Sequence, residues 1–239
     1  MTPLGPPVSQ PTALRPSSAA VLEGRTVRLI NLRPEHADHL FPLVGGNDAT
    51  IASLWTYMLD GPWNDIEAFR SAVTAKSKLT DPCFFAIQDS STGRVLGQLS
   101  LMNIVPEHLR VEIGSVLFSP ALQRTTGATE AVYLLIQYAV EILGYRRVEW
   151  KCNALNQASQ NAAVRLGFSF EGVFRQHMVL KGRSRDTAWY SILKEEWEQK
   201  NIKKALELWL REANFDAEGR QKKGLVEIRK ELEDLTSSH

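Results

Sequence analysis

Alternating apolar and polar positions predict a strand at residues 110–118, where every second residue from Val111 lies on one face. A short polar turn follows at 123–129. Apolar residues then recur at helical spacing over 128–142, and the pair Leu143-Gly144 predicts the end of that helix. The pattern therefore predicts a strand, a polar turn and a largely buried helix at the centre of the chain.

The same patterns predict further elements on both sides of this central unit. Strands are predicted at 25–31, 83–89, 95–105, 146–152, 168–176 and 186–193, and helices at 34–44, 64–78 and 157–166. This order of elements predicts an α/β domain with a mixed, largely antiparallel sheet flanked by helices.

The two ends of the chain differ from this central part, which spans 24–198. Residues 1–23 are rich in Pro, Ser and Thr with little periodic apolar content, which predicts a disordered tail. Residues 199–239 contain two amphipathic helical patterns, each too short to be stable alone. We expect a helical C-terminal extension that packs back on the domain or joins a partner subunit.

Composition narrows the class of protein. With 239 residues, of which 44% are hydrophobic, the chain can bury one sizeable core. A net charge of +1 argues against a general electrostatic binder of nucleic acid. The two cysteines, Cys83 and Cys152, lie in apolar strand-like runs and are expected to be buried thiols. We find neither a membrane-spanning run nor a signal sequence nor metal-ligand spacing, so we expect a soluble cytoplasmic protein without a metal.

The turn at 123–129 has the features of an anion site. The first N–H groups of a helix lack intrahelical partners, and the helix dipole favours negative charge there. Gly127 permits close backbone approach, Ala128 adds little bulk and Arg124 supplies a bidentate cation, which together favour a pyrophosphate. The alternative is an ordinary strand-to-helix connection with a capping Thr.

The turn and the blocks after it resemble the GNAT superfamily of acyl-CoA N-acyltransferases. The residues that carry the resemblance are QRTTGA at 123–128, an Asn that opens the next helix and a Gly-Phe pair that closes it. The branch of ribosomal-protein N-acetyltransferases is the more similar one, through TEA at 129–131, LGYRRVEWKCNALNQAS at 143–159, RLGFSFEGVFRQH at 165–177 and KGRSRDTAWYSI at 181–192. The resemblance covers 24–197.

This resemblance implies acetyl-CoA as the co-substrate, bound where the central strand and the strand at 146–152 splay apart. It places the CoA pyrophosphate on Gln123, Arg124, Thr125, Thr126, Gly127, Ala128 and Thr129. The backbone N–H groups around Val116, Leu117 and Phe118 would polarise the thioester carbonyl. Asn156 would hydrogen-bond the pantetheine chain, since Asn has both a donor and an acceptor; its alternative role is that of an N-cap.

Two further side chains are candidates for proton transfer. Glu112 looks like the carboxylate that draws the proton from the acceptor amine, and the alternative is a solvated Glu or a salt bridge to Arg110. Many superfamily members have a thiolate-protonating Tyr at the position that is Ala163 here, which is a departure. The ribosomal-protein branch has a Ser that Ser159 matches, so Ser159 is the candidate acid; otherwise it is a helix cap.

An unusual aromatic segment at 48–63 carries Trp55, Tyr57 and Trp63, and Trp189 lies on the last predicted strand. These side chains either cap the core or line the acceptor pocket. We expect acetyl transfer to a primary amine of a small molecule by direct attack. The alternatives are acetylation of a polypeptide N-terminus and a non-catalytic acyl-CoA sensor. We expect no nucleic-acid or membrane partner, and a monomer or homodimer.

Overall fold

The computed structural model describes residues 4–237 of the chain, and these residues form an eight-stranded sheet with helices on both faces. The strands are β1 Val21–Glu23, β2 Val27–Asn31, β3 Cys83–Asp89, β4 Val95–Val105, β5 Arg110–Phe118, β6 Arg147–Asn153, β7 Ser169–Leu180 and β8 Arg183–Leu193. The helices are α1 His36–Val44, α2 Ala49–Ser53, α3 Ile66–Ser77, α4 Thr126–Gln137, α5 Gln157–Leu166, α6 Lys194–Gln199, α7 Ile202–Leu210 and α8 Leu225–Ser237.

The strand order is β1-β2-β3-β4-β5-β6-β8-β7, and β5 with β6 is the parallel pair among antiparallel neighbours. The predicted mixed, largely antiparallel sheet is therefore confirmed. The β5–β6 pairing runs from Arg110 opposite Arg147 to Ile113 opposite Trp150. Beyond that point β5 continues along β4 and β6 continues along β8, so the two strands separate.

A β-bulge lies in β5 where it leaves β6. Gln98 is opposite Leu117 and Ser100 is opposite Gly114, so one residue of β4 faces two residues of β5, Ser115 and Val116. Ser115 has φ of 51°, in the left-handed region that non-glycine residues seldom adopt. A bulge bends its strand and interrupts the ladder, which leaves backbone groups available to a ligand.

Successive side chains along the strands point to opposite faces of the sheet, where they join two separate core clusters. On β3, Phe85 and Ile87 face a large cluster that includes α4 and α7, whereas Phe84 and Ala86 face a smaller cluster that includes α1 and α3. Helix α4 continues without a break into a π-helical turn at Tyr138–Ile142. Among residues 4–237, no helix is both long and apolar enough to cross a bilayer.

The N-terminal segment is ordered where the sequence predicted disorder. The Ala13 N–H donates to the Pro106 carbonyl at 3.3 Å, and the Leu14 N–H donates to the Leu143 carbonyl at 2.8 Å. Residues 21–23 then form β1 on the edge of β2. The predicted disordered tail is wrong for this stretch, because carbonyls of the folded domain satisfy its backbone donors; residues 1–3 lie outside the described residues.

The C-terminal helices pack on the domain, which is one of the two arrangements we considered. The buried face of α7 consists of Ile202, Ala205, Leu206, Trp209 and Leu210, all members of the large core cluster. Leu225 and Ile228 of α8 belong to the same cluster. Residues 238–239 lie outside the described residues.

Most element positions agree with the sequence patterns, and the disagreements are local. The last hairpin is longer than predicted, because β7 and β8 continue to a tight turn at Lys181-Gly182. Helix α2 was not predicted, since its five residues are too few to show a period. Its first turn is held by Asp48, whose carboxylate accepts from the N–H groups of Thr50 and Ile51.

Candidate active site

A cavity of about 820 Å³ opens where β5 and β6 separate. Glu112, Ser115 and Val116 line it from β5, and Asn156 and Ser159 line it from the start of α5. Four of these five residues, all except Ser115, were singled out from the sequence, and they meet at one place. The parallel pairing followed by separation is what brings the two strand ends to the same opening.

The β5 bulge presents backbone to this cavity. Ser115 and Val116 stand outside the β4–β5 register, and both line the cavity. The two residues after them differ: Leu117 is buried in the smaller core cluster, and the Phe118 carbonyl accepts from Gln123 Nε2 at 3.0 Å. The bulge therefore makes Val116 the best placed of the three candidate N–H donors.

The turn at 123–129 has the geometry of a capped helix start. The Thr125 hydroxyl accepts from the Ala128 N–H at 3.3 Å and donates to the Leu122 carbonyl at 2.7 Å, so the capping Thr is present. Arg124 is exposed with φ of 61°. Of the described residues that line the cavity, none belongs to this turn, so a ligand that used both would extend out of the cavity along the protein surface.

Two residues of the turn also serve the fold. A Cβ on Gly127 would lie 2.7 Å from Val27 Cγ1, so glycine is required for packing against β2. Thr129 is buried, and its hydroxyl accepts from Arg165 of α5 at 3.0 Å. These contacts are structural whether or not the turn binds a ligand.

Glu112 is buried, with 5% of its surface exposed, and its carboxylate is doubly held. Asn103 Nδ2 donates to it at 2.7 Å and Lys151 Nζ at 2.8 Å. Neither alternative considered from the sequence is found: Glu112 is not solvated, and Arg110 lies 3.8 Å from Glu149 instead. The parallel register of β5 and β6 explains why Glu112 has Lys151 as its partner. It places Glu112 directly beside Glu149, and both carboxylates contact Lys151.

Sequence reasoning missed Lys151 and Glu149. The signal was the alternation of Glu149 and Lys151 on one face of a strand, but only the parallel register shows that Glu112 joins them. Burial alone would raise the pKa of Glu149, but hydrogen bonds from Arg147 and Lys151 outweigh it and hold that pKa below its usual value. This second carboxylate is therefore ionised at neutral pH.

Ser159 lines the cavity from the first turn of α5. Trp150 Nε1 donates to the Ser159 hydroxyl oxygen at 3.0 Å, and the Ser159 side chain also hydrogen-bonds the Cys152 thiol. The side-chain oxygen Oδ1 of Asn156 accepts from the Ser159 N–H at 3.1 Å, so Asn156 does act as the N-cap of α5. An N-cap that also lines the cavity can still offer its amide nitrogen to a ligand.

The four aromatic candidates separate into two groups. Trp55 is fully buried, donates through Nε1 to the Val44 carbonyl at 2.7 Å and packs edge-on against Phe69. Trp63 packs against the same Phe69, and neither tryptophan lines the cavity. The prediction that Trp55 contacts the acceptor is therefore wrong: a side chain with no exposed surface is part of the hydrophobic core.

Tyr57 and Trp189 do line the cavity. The Tyr57 hydroxyl donates to the Leu155 carbonyl at 3.2 Å. Trp189 stacks on Phe174 with ring centroids 4.5 Å apart, and Lys151 Nζ lies 4.0 Å from the centre of its ring. An aromatic surface thus lies beside the buried carboxylates.

Residues 54–60, which we call the wall segment, close one side of the cavity. The hairpin between β7 and β8 holds this segment, because Lys181 Nζ donates to the Trp55 carbonyl at 2.7 Å and to the Asp60 carbonyl at 3.0 Å. Tyr57 ties the same segment to the turn before α5. The chain thereby encloses the cavity from two distant parts of the sequence.

No group of three or more His, Cys, Asp or Glu side chains within residues 4–237 could hold a metal ion. Both cysteines are buried and free. Burial raises the pKa of the Cys83 thiol to about 11, with Asp81 adding to the effect, and burial likewise raises the pKa of Cys152, which lines the cavity. Neither thiol has the lowered pKa of a nucleophilic cysteine.

Comparison with known proteins gives a consistent result. A family model described as "Acetyltransferase (GNAT) domain" matches residues 26–169, more than half of the chain. The solved structure of a GCN5-related N-acetyltransferase from Brucella melitensis has a TM-score of 0.88 and 42% sequence identity, and the match covers 93% of this chain and 99% of that chain.

Two curated proteins of Bacillus subtilis (strain 168) are also similar. "Putative ribosomal N-acetyltransferase YdaF" is 28% identical over 180 residues, which is 74% of this chain and 96% of that protein. "Uncharacterized N-acetyltransferase YoaA" is 31% identical over 110 residues, which is 46% of this chain. The second match spans 62% of YoaA, less than two thirds of its length.

Proposed function

Because the chain belongs to the GNAT acetyltransferase family, whose co-substrate is acetyl-CoA, we propose that it transfers the acetyl group to a primary amine of a small molecule by direct attack. The resemblance found in its motifs is thereby confirmed, and the chain is an acyltransferase. The proposal concerns the acceptor and the residues that do the chemistry.

The observation that carries the proposal is the meeting of three groups at one cavity. A buried carboxylate, Glu112, a backbone bulge at Ser115-Val116 and a hydroxyl, Ser159, all line it. Acyl transfer from a thioester to an amine needs a proton acceptor, a donor to the developing oxyanion and a proton source for the leaving thiolate. Each need has one candidate here.

We assign the following roles. When bound, acetyl-CoA supplies an activated acyl group on a thiol of modest basicity. The Val116 N–H would stabilise the negative charge that develops on the carbonyl oxygen. Glu112 would accept the proton of the attacking amine, directly or through water, and Ser159 would donate a proton to the sulfur.

The turn at 123–129 is the proposed pyrophosphate site. Its support is the helix start at Thr126, with Arg124 exposed beside it and Thr125 as the cap. Asn156 is proposed for the pantetheine amides, since it lines the cavity at the N-terminus of α5. A ligand bound both to Asn156 and to the turn at 123–129 would extend from the cavity to the protein surface, which suits a long cofactor.

Cavity size and lining support a small acceptor. A volume of about 820 Å³ lies within the range of small-molecule sites, and the wall segment encloses it. Apolar side chains such as Met58, Leu59 and Met102 line it beside Tyr57 and Trp189. The other candidate acceptor is a polypeptide N-terminus, which is favoured by the similarity to a protein described as a putative ribosomal N-acetyltransferase.

The test of the base is the isosteric substitution Glu112→Gln. We expect turnover to fall about 100-fold, because a positioned base contributes roughly 100-fold to 10,000-fold. Affinity for acetyl-CoA should stay within about twofold of the wild type, since the carboxylate meets the acceptor's proton and not the pantetheine. Release of free thiol measures turnover, and calorimetry measures affinity.

The control is Glu107→Gln, which changes an exposed carboxylate in the turn before β5. It should leave both quantities unchanged. Screening pooled small amines and purified ribosomal proteins as acceptors identifies the substrate class. Wild-type turnover by Glu112→Gln with the acceptor so found would show that Glu112 is structural.

A further inference from the structure

Lys151 lies between the two buried carboxylates of the cavity. Its Nζ is 2.8 Å from an oxygen of Glu112 and 2.8 Å from an oxygen of Glu149. The same ammonium lies 4.0 Å from the centre of the Trp189 ring. The Lys151 side chain is only 10% exposed. Its ammonium therefore contacts Glu112, Glu149 and Trp189 with little access to water.

The register of the parallel strands explains why a cation is needed here. Glu112 and Glu149 are direct neighbours across β5 and β6, and like charges in this position repel. Arg147 binds Glu149 at 2.8 Å but is shared with Glu171 on β7. Lys151 is therefore the cation, among residues 4–237, that is in ionic contact with Glu112.

The other groups that face Glu112 do not replace this charge. From β4, Asn103 donates one neutral hydrogen bond at 2.7 Å. From β8, Arg185 interacts electrostatically with Glu112 without forming an ion pair with it. From β5 itself, Arg110 lies 3.8 Å from Glu149. Removing Lys151 would leave a buried carboxylate with one neutral donor.

We propose that Lys151 is a positioning residue of the acetyl transfer: its ammonium compensates the charge of the buried Glu112 carboxylate and orients it in the cavity, so that the carboxylate can accept the acceptor's proton. This inference rests on the proposed role of Glu112 as the base. Lys151 itself transfers no proton and forms no bond to the substrate.

The physical reason is the cost of a buried charge. A carboxylate removed from water favours its protonated form unless a cation or several donors compensate. A protonated Glu112 cannot accept a proton, so loss of the ammonium should move the acidic limb of the activity profile to higher pH. An arginine keeps the positive charge but not the compact geometry of an ammonium. The acidic limb of Lys151→Arg should therefore lie closer to the wild-type pH than that of the uncharged variant.

The experiment compares Lys151→Met and Lys151→Arg with the wild type over about pH 6 to pH 10, a range that brackets the expected shift of a buried carboxylate. For Lys151→Met we expect turnover at neutral pH to fall about 10-fold to 100-fold and to recover in large part at the alkaline end. The turnover of Lys151→Arg at neutral pH should lie between those of the wild type and Lys151→Met. The control is Lys203→Met, which breaks another Lys–Glu pair of 2.8 Å, to Glu141, away from the cavity.

Two results would overturn the proposal. One is a Lys151→Met profile with the wild-type acidic limb; the other is an equal loss at every pH, which indicates a structural role only. Carbon-13 NMR of labelled glutamate carboxyls gives a readout independent of turnover, with the Glu112 signal assigned by Glu112→Gln. Its titration should move to higher pH in Lys151→Met. If Glu112→Gln keeps full turnover, the base assignment fails, and the same titration still reports whether Lys151 holds Glu112 ionised.

Discussion

Single residues in this chain often have a different role from the one their type suggests. Gly127 is proposed to let a phosphate approach the backbone, and its missing side chain is also required by Val27, whose Cγ1 would lie 2.7 Å from a Cβ. Trp55 was expected at the acceptor, but it fills the smaller core beneath the wall segment. In both cases residue type indicates what is tolerated locally, and the contact that decides comes from elsewhere in the fold.

The two cysteines provide a residue-level prediction. With its pKa at about 11, Cys83 should react with a thiol reagent near pH 8 roughly 100-fold more slowly than in the unfolded chain, because the thiolate is the reactive form. Single Cys→Ser variants let each thiol be followed separately. Acetyl-CoA should further slow Cys152, which lines the cavity, and should leave Cys83 unchanged. Equal effects on both thiols would contradict the proposed ligand position.

At the scale of elements, local pattern was sufficient for most strands and helices. Residues 83–89, 95–105, 110–118 and 157–166 have the bounds that periodicity and stop signals indicated. The opening between β5 and β6 could not be predicted in this way. It depends on where a parallel pairing ends, which is a long-range property, and we expected it only from the family resemblance.

The sequence indicated several residues of the candidate site but not the contacts between them. Glu112, Val116, Asn156 and Ser159 line one cavity, and the roles that the resemblance implies for them stay predictions. The partner of Glu112 was not predictable, because it depends on the register of β5 against β6. The bulge was hidden as well, since Ser115 gives no sequence sign of a positive φ.

The hairpin that holds the wall segment gives a prediction at this scale. Lys181→Met removes both hydrogen bonds to the segment's carbonyls and keeps the length of the side chain. We expect the KM for the acceptor to rise about threefold to tenfold, because the cavity wall loses its tie, with little change in acetyl-CoA affinity. Arg183→Met, on the exposed turn of the same hairpin, is the matched control. An unchanged KM in Lys181→Met would show that the wall segment holds its place without the hairpin.

In the described part of the molecule, residues from both terminal segments belong to the core that contains α4. Residues 13–23 reach the carbonyls of Pro106 and Leu143 and then add β1 to the sheet. In the C-terminal segment, Trp209 of α7 packs against Arg165. The guanidinium carbon of Arg165 lies 4.9 Å from the centre of the Trp209 ring. The helix whose start forms the proposed pyrophosphate site is thus fixed from several directions, which suits a site that must be preorganised.

We propose that acetyl-CoA lies in the β5–β6 opening with its pyrophosphate on the turn at 123–129. The most direct measurement is calorimetric titration of acetyl-CoA into the wild type, Arg124→Gln and the control Arg94→Gln, an exposed arginine in the turn between β3 and β4. We predict one site in the wild type, unchanged affinity for Arg94→Gln, and a Kd at least tenfold higher for Arg124→Gln, since a hydrogen bond to a charged group contributes about 1.5–3 kcal/mol. Wild-type affinity in Arg124→Gln would contradict the account.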